Sequence, residues 1–110
     1  MRNLLIYEKC IEMIEYGQIA LRQFPKYEKF VLAGQIRHQM YLVFRSIIVA
    51  NKARDKARKI DDLDVHHEAL RQYIELAKRL KYIDLQKYSV WMGKVDEIGR
   101  MIGGWKHKFK

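Results

Sequence analysis

Apolar side chains recur along this chain at three- and four-residue intervals, and no stretch alternates apolar with polar residues as a strand would. The recurrence predicts helices, and a few residues punctuate it. Pro25, in RQFPKYEKF, ends a first helix because it has no amide donor to extend the ladder. The aspartates of RKIDDLD, around residues 58–62, suit the cap of a new helix, and Asp84 in YIDL suits another. The breaks predict four helices, over about 2–23, 28–58, 62–82 and 85–103. Connections this short make consecutive helices antiparallel, so the expected fold is all-α: one up-down four-helix bundle domain over residues 1–110. There is no internal repeat and no low-complexity linker.

Unrolled at about 100° per residue, each helix has an apolar face. In the first it holds Ile6, Tyr7, Cys10, Met13, Ile14, Gly17, Leu21 and Phe24. In the second it holds Ala33, Ile36, Met40, Val43, Phe44 and Ile47. The third offers Ala69, Leu70, Tyr73, Leu76, Ala77 and Leu80. The fourth offers Leu85, Tyr88, Trp91, Met92, Val95, Ile98, Ile102 and Trp105. The first two helices also carry apolar residues on their far sides: Leu5, Tyr16 and Ile19, then Val31, Leu42 and Val49. The third has a polar back of Glu68, Arg71, Glu75, Lys78 and Arg79. A helix apolar on two sides is buried on two sides, which predicts further copies of the chain as a homo-oligomer.

The last helix raises its own question, because DEIGRMIGGWKHKFK carries three glycines and then a tryptophan. Gly99 lies in the apolar arc, where a missing side chain lets a neighbouring helix approach. Gly103 and Gly104 predict a C-cap, where glycine accepts a left-handed backbone at little cost. Trp105 would then fold back over the end of the core.

Charge adds a direction to this picture. Lys and Arg number 22 against 13 Asp and Glu, a net +9. Residues 1–25 are neutral overall, whereas residues 26–60 hold nine basic and two acidic side chains. Such unevenness favours a polyanionic partner over charge kept only for solubility. The single cysteine, Cys10, lies on an apolar face and reads as a small buried residue. The N-terminus lacks the uninterrupted apolar segment of a signal peptide, so a cytoplasmic protein is expected. No run approaches the roughly 18 apolar residues of a membrane span.

The strongest candidate constellation is basic. Arg45, Lys52 and Lys59 fall seven apart, with His38 and Lys56 in the same strip if the second helix runs that far. Arg54 and Arg58 lie on the opposite side. Cations at these intervals can follow a phosphate backbone, releasing counterions as they bind. The competing reading is a solvated helix face, but Asp55 alone interrupts this run. A second patch is Lys78, Arg79 and Lys81, backed by Tyr82. The tail KHKFK is a third, with Phe109 available to stack on a base. Charge reversal at Lys52 and Lys56 is expected to weaken RNA binding and leave the melting temperature unchanged. The apolar positions suit protein packing rather than a lipid surface. Catalysis has little support. A di-iron bundle needs Glu-x-x-His, which does not occur. His66 leans to the apolar face as a hydrogen-bonded boundary residue. One cysteine cannot build a zinc cluster, Ser46 and Ser89 sit mid-helix without a marked base, and no phosphate-binding glycine loop is present. Neither a catalytic site nor a cofactor is expected.

Three stretches carry a resemblance: DEIGRMIGGW, LAKRLKYIDLQKYSVW before it, and FPKYEKFVLAGQIRHQM in the first half. Together they resemble the four-helix-bundle family of the accessory variability proteins of diversity-generating retroelements and the ribosomal-RNA intervening-sequence proteins. The resemblance spans nearly the whole chain. The phrase FPKYEKFVLAGQIR is shared across the broader family, while the segment Glu97–Trp105 leans towards the retroelement branch. What the resemblance implies is a basic bundle assembled into a ring-like pentamer. In that branch it associates with a reverse transcriptase and with RNA or DNA, supporting mutagenic cDNA synthesis. The intervening-sequence branch implies instead a structural oligomer, and its basic face would then meet an acidic protein.

Overall fold

The structure is a computed structural model and describes residues 4–109. Among the described residues there are four α-helices and no strand: α1 (Leu4–Leu21), α2 (Leu32–Lys52), α3 (Lys56–Arg79) and α4 (Leu85–Lys108). The expected helix start at residue 2 lies outside the described residues, as does Lys110.

Cross-links between helices fix their directions. Asn51 Nδ2 donates to the Tyr7 hydroxyl (2.9 Å), while Gln18 near the other end of α1 meets Arg37 and Tyr41. Rising numbers on α1 therefore meet falling numbers on α2. Gln23 pairs with Asp84, and Lys9 with Glu97, so α1 and α4 are antiparallel too. Arg71 meets Asp96 and Lys106 meets Asp64, which gives the same sense to α3 and α4. Each helix packs on its two neighbours, and among the described residues none packs across the diagonal. The bundle measures 42 × 23 × 19 Å.

The core is one cluster drawn from all four helices, with Trp91, Met13, Met40, Ile36 and Ile98 fully buried. Truncating a large buried side chain in such a core costs about 3–5 kcal/mol for an aromatic. Gly17 makes room for its neighbours: a Cβ there would stand 2.5 Å from Met40 Sδ and 3.0 Å from Trp91 Nε1, so the end of the Met40 side chain would have to move. Burial pushes the Cys10 thiol up to about 12, so it stays an inert thiol in the core.

The chain ends its helices differently from expectation in three places. First, α2 stops at Lys52, Ala53 is extended, and α3 begins at Lys56 with Asp55 as its cap, accepting from the Arg58 amide at 3.3 Å. The aspartates at 61 and 62 are instead surface residues of α3. The earlier start follows from the buried stripe of α3, Ile60, Leu63, His67, Leu70, Ile74 and Ala77. That stripe is turned away from Leu76 and Leu80, which are exposed rather than in the core. Leu85, the first residue of α4, is likewise 69% exposed.

Second, α4 does not end at Gly103 and Gly104. No glycine has positive φ, and the helix continues to Lys108. Trp105 is buried and Lys106 pairs with Asp64 (2.9 Å) and Asp61 (3.7 Å) of α3, so tertiary contacts hold the last turns helical. Third, among the described residues the left-handed one is Lys81, with φ of 64°. It closes α3 through bonds from its own amide to Lys78 and from the Tyr82 amide to Ala77, the pattern usually built around glycine. Asp84 caps α4 as expected, accepting from the Lys87 amide at 2.7 Å.

His67, not His66, is the buried histidine. Its Nε2 donates to the Val95 carbonyl at 2.8 Å, since a carbonyl can only accept. Gly99 provides the space for that ring: a Cβ there would be 2.7 Å from His67 Cε1. The expected close approach at Gly99 is thus real, and a histidine ring makes it.

Candidate nucleic-acid interface

Because α2 ends at Lys52, the predicted basic strip is divided between two helices and their connection. Arg45 and Lys52 lie on the outward face of α2, about 10 Å apart at 1.5 Å per residue. Arg54 is in the connection, and Lys56, Arg58 and Lys59 are in the first turns of α3. The turn between the helices thus gathers five of these cations at one end of the bundle.

They are not equivalent. Lys56 Nζ donates to the carbonyls of Asn51 (2.6 Å), Ala53 (3.2 Å) and Ala50 (3.3 Å). Those acceptors sit at the C-terminal end of α2, where carbonyls lack helical partners and a cation is favoured. Lys56 is therefore half-buried and structural, so the expectation that its charge reversal leaves the melting temperature unchanged does not hold: reversal would break three bonds that close α2. Arg58 stands 3.7 Å from Asp55, and Lys59 stands 3.9 Å from Asp62. Arg45, Lys52 and Arg54 are exposed and form no ion pair with another described residue. The nearby carboxylates have other uses: Asp55 caps α3, and Asp61 and Asp64 hold Lys106. The hydrogen bond to Asp64 raises the Lys106 pKa above the ordinary lysine value.

Beside these cations lies a groove of about 800 Å³, lined by Leu5, Ile6, Asn51, Lys52, Lys56, Met101, Gly104, Trp105, Lys108 and Phe109. The C-terminal basic stretch thus joins the α2–α3 turn through Lys108, whereas Lys106 is taken up by α3. Phe109 packs half-buried against the core.

Lys78, Arg79 and Lys81 lie at the opposite end of the bundle. Glu75 accepts from the Tyr88 hydroxyl (2.6 Å) and pairs with Lys78 (3.2 Å) and Arg79 (3.4 Å). The Tyr88 bond, then the two cations, hold the Glu75 carboxyl down to about 2. Lys78 also lies 4.5 Å from the Tyr88 ring centroid. Only Lys81 of this group is exposed without an ion pair to another described residue. The two basic groups are separated along a 42 Å molecule, a span of about 12 duplex base pairs at 3.4 Å each.

The sequence reading did not single out Arg22, Lys26, Lys29 and Arg37, which line a smaller pocket of about 210 Å³ at that second end. The signal available was antiparallel pairing, which brings the end of α1 beside the start of α2. Among the described residues no group of three or more His, Cys, Asp or Glu could hold a metal ion. No described helix is long and apolar enough to cross a membrane. A family model described as bAvd-like matches residues 4–109. No curated protein matches the chain.

Proposed function

We propose, starting from the fact that this chain belongs to the bAvd-like family, that it is a non-catalytic cytoplasmic accessory protein that binds nucleic acid and a reverse transcriptase. In that role it supports the mutagenic cDNA synthesis of a diversity-generating retroelement and needs no cofactor. One observation carries the nucleic-acid part: Arg45, Lys52 and Arg54 are exposed and uncompensated, while the carboxylates around the α2–α3 turn are spent on a helix cap and on Lys106. Such cations bind phosphates without reading sequence.

The outer faces of α1 and α2 favour assembly with further copies, and the family resemblance suggests five. Leu5, Ile11 and Ile19 are exposed on α1, and Tyr41, Ile48 and Val49 on α2. The same faces favour the second reading, an intervening-sequence-type structural oligomer whose cations meet an acidic protein. Charge reversal separates the two readings. Lys52→Glu with Arg54→Glu should flatten the salt dependence of RNA binding by about 2 in log–log slope, near one unit for each lost phosphate contact. If RNA binding is unaltered while capture of an acidic protein partner is lost, the second reading stands.

A further inference from the structure

The end of the bundle remote from the α2–α3 turn displays two aromatic residues to solvent. Tyr27 is 73% exposed and Phe30 is 87% exposed, and only two residues separate them. Single exposed apolar residues are ordinary, but two large rings this open within one short connection form the kind of local apolar feature that marks an interaction site. Both belong to the connection between α1 and α2, which the surrounding structure holds in one shape. A short 3₁₀ turn spans Lys26–Glu28. Glu28 accepts from the Leu32 amide at 3.1 Å and from the Tyr82 hydroxyl at 3.0 Å. The Tyr82 ring packs on Phe24 (5.5 Å between centroids) and edge-on to Tyr27 (6.5 Å). Tyr27 is thereby buttressed on one side and open on the other.

The charge around these rings is one-sided. Arg22, Lys26, Lys29 and Arg37 line the adjacent pocket, over a floor of Leu21, Phe24, Pro25 and Ala33. The carboxylate in this stretch, Glu28, faces inward onto the two bonds just described. None of the four cations forms an ion pair with another described residue. Lys29 Nζ lies 5.5 Å from the Phe30 ring centroid. Arg37 Nε also donates to Gln18 Oε1 at 3.3 Å, which leaves Arg22, Lys26 and Lys29 as the freer cations. Cations without an ion-pair partner beside exposed aromatic rings match one chemistry well: phosphates for the cations and flat bases for the rings. A duplex hides its base faces in its own stack and offers the rings nothing, so the combination selects single strands.

We infer that the α1–α2 connection is a single-strand subsite, where Arg22, Lys26, Lys29 and Arg37 hold phosphates and Phe30 and Tyr27 stack on unpaired bases. The inference rests on the nucleic-acid reading above and places a second, chemically different contact at the other end of the bundle. A strand held here is gripped by stacking, whereas the α2–α3 turn holds backbone of any form.

The test uses three labelled 12-residue probes: single-stranded oligouridine, an RNA duplex, and an abasic strand with the same backbone. Fluorescence anisotropy gives the affinity of the full chain for each. Phe30→Ala should weaken oligouridine binding on the order of tenfold and leave the duplex and abasic probes unchanged. Phe30→Trp should restore it. Lys26→Ala with Lys29→Ala should reduce the salt slope for oligouridine by about 1.4, at 0.7 per phosphate. If the wild type binds the duplex but Phe30→Ala leaves oligouridine unaffected, the subsite is wrong while the reading of the α2–α3 turn survives. If Phe30→Ala instead lowers the sedimentation mass, the rings are a contact between copies and the inference falls. If the wild type binds no probe, both fall.

Discussion

Replacing Gly99 by alanine introduces one methyl group, 2.7 Å from His67 Cε1 and 3.1 Å from Nε2. Carbon atoms pack at about 3.5–4.0 Å, so the ring must retreat by about 1 Å. It cannot do so freely, because His67 is buried and its Nε2 donates to Val95, one turn before Gly99 on the same helix. Overpacking a core costs about 1–3 kcal/mol, and stranding a buried donor costs about 1–3 kcal/mol more. Alanine returns about 1 kcal/mol of helix propensity. The net loss is then about 1–5 kcal/mol, centred near 3, a fall in Tm of about 4–20 °C for a domain of this size. Gly93 supplies the control on the same helix, since a Cβ there meets nothing within 4 Å. Gly93→Ala keeps the propensity gain alone and should raise Tm by about 4 °C. Far-UV circular dichroism during thermal and urea unfolding measures both. If both substitutions stabilise, the account of His67 packing against Gly99 is refuted.

Other consequences are equally direct. Lys81→Gly relieves a left-handed lysine and should stabilise by about 1 kcal/mol, read from the urea midpoint. An unchanged or lower midpoint would mean the lysine is unstrained there. Lys56→Ala should cost about 1–2 kcal/mol, because its three carbonyl bonds close α2, whereas Lys52→Ala should stay within about 0.5 kcal/mol of wild type. Equal effects would contradict the distinction between the two lysines. Glu75 has a carboxyl lowered from 4.5 to about 2 in the folded state. Its contribution to stability is thus present above about pH 4.5 and lost as pH falls towards 2. Urea midpoints of wild type and Glu75→Gln should converge across that window, and a constant difference would argue against it.

The faces of α1, α2 and α4 were legible because their apolar spacing is regular, and Asp84 caps α4 as its position suggested. The start of α2, expected at 28, was not: Lys26–Glu28 forms a 3₁₀ turn and the helix begins at Leu32, where Val31 supplies no side-chain cap. The α2–α3 boundary was hidden inside NKARDKARK, where every residue but Asn and Asp is a good helix former. Its local signal was a single aspartate, Asp55. The better signal was longer in range: Ile60, Leu63, His67, Leu70, Ile74 and Ala77 keep a 3-4-3-4-3 spacing that starts α3 earlier. At Gly103 and Gly104 the local glycine preference was real but lost to the burial of Trp105 and the pairing of Lys106 across to α3. The residue types of the candidate interface could be read from sequence, but their grouping could not. Whether Lys56 faces solvent depends on where α2 ends. Whether Lys52 and Lys78 share a surface depends on the length of the bundle.

The central claim is that uncompensated cations on this bundle bind nucleic acid. The most direct measurement is binding of a labelled structured RNA by the purified protein across a salt series, followed by fluorescence anisotropy. Sub-micromolar binding at low salt that weakens steeply as salt rises is the predicted result. No binding even at low salt would contradict the claim and assign the exposed cations to a protein surface.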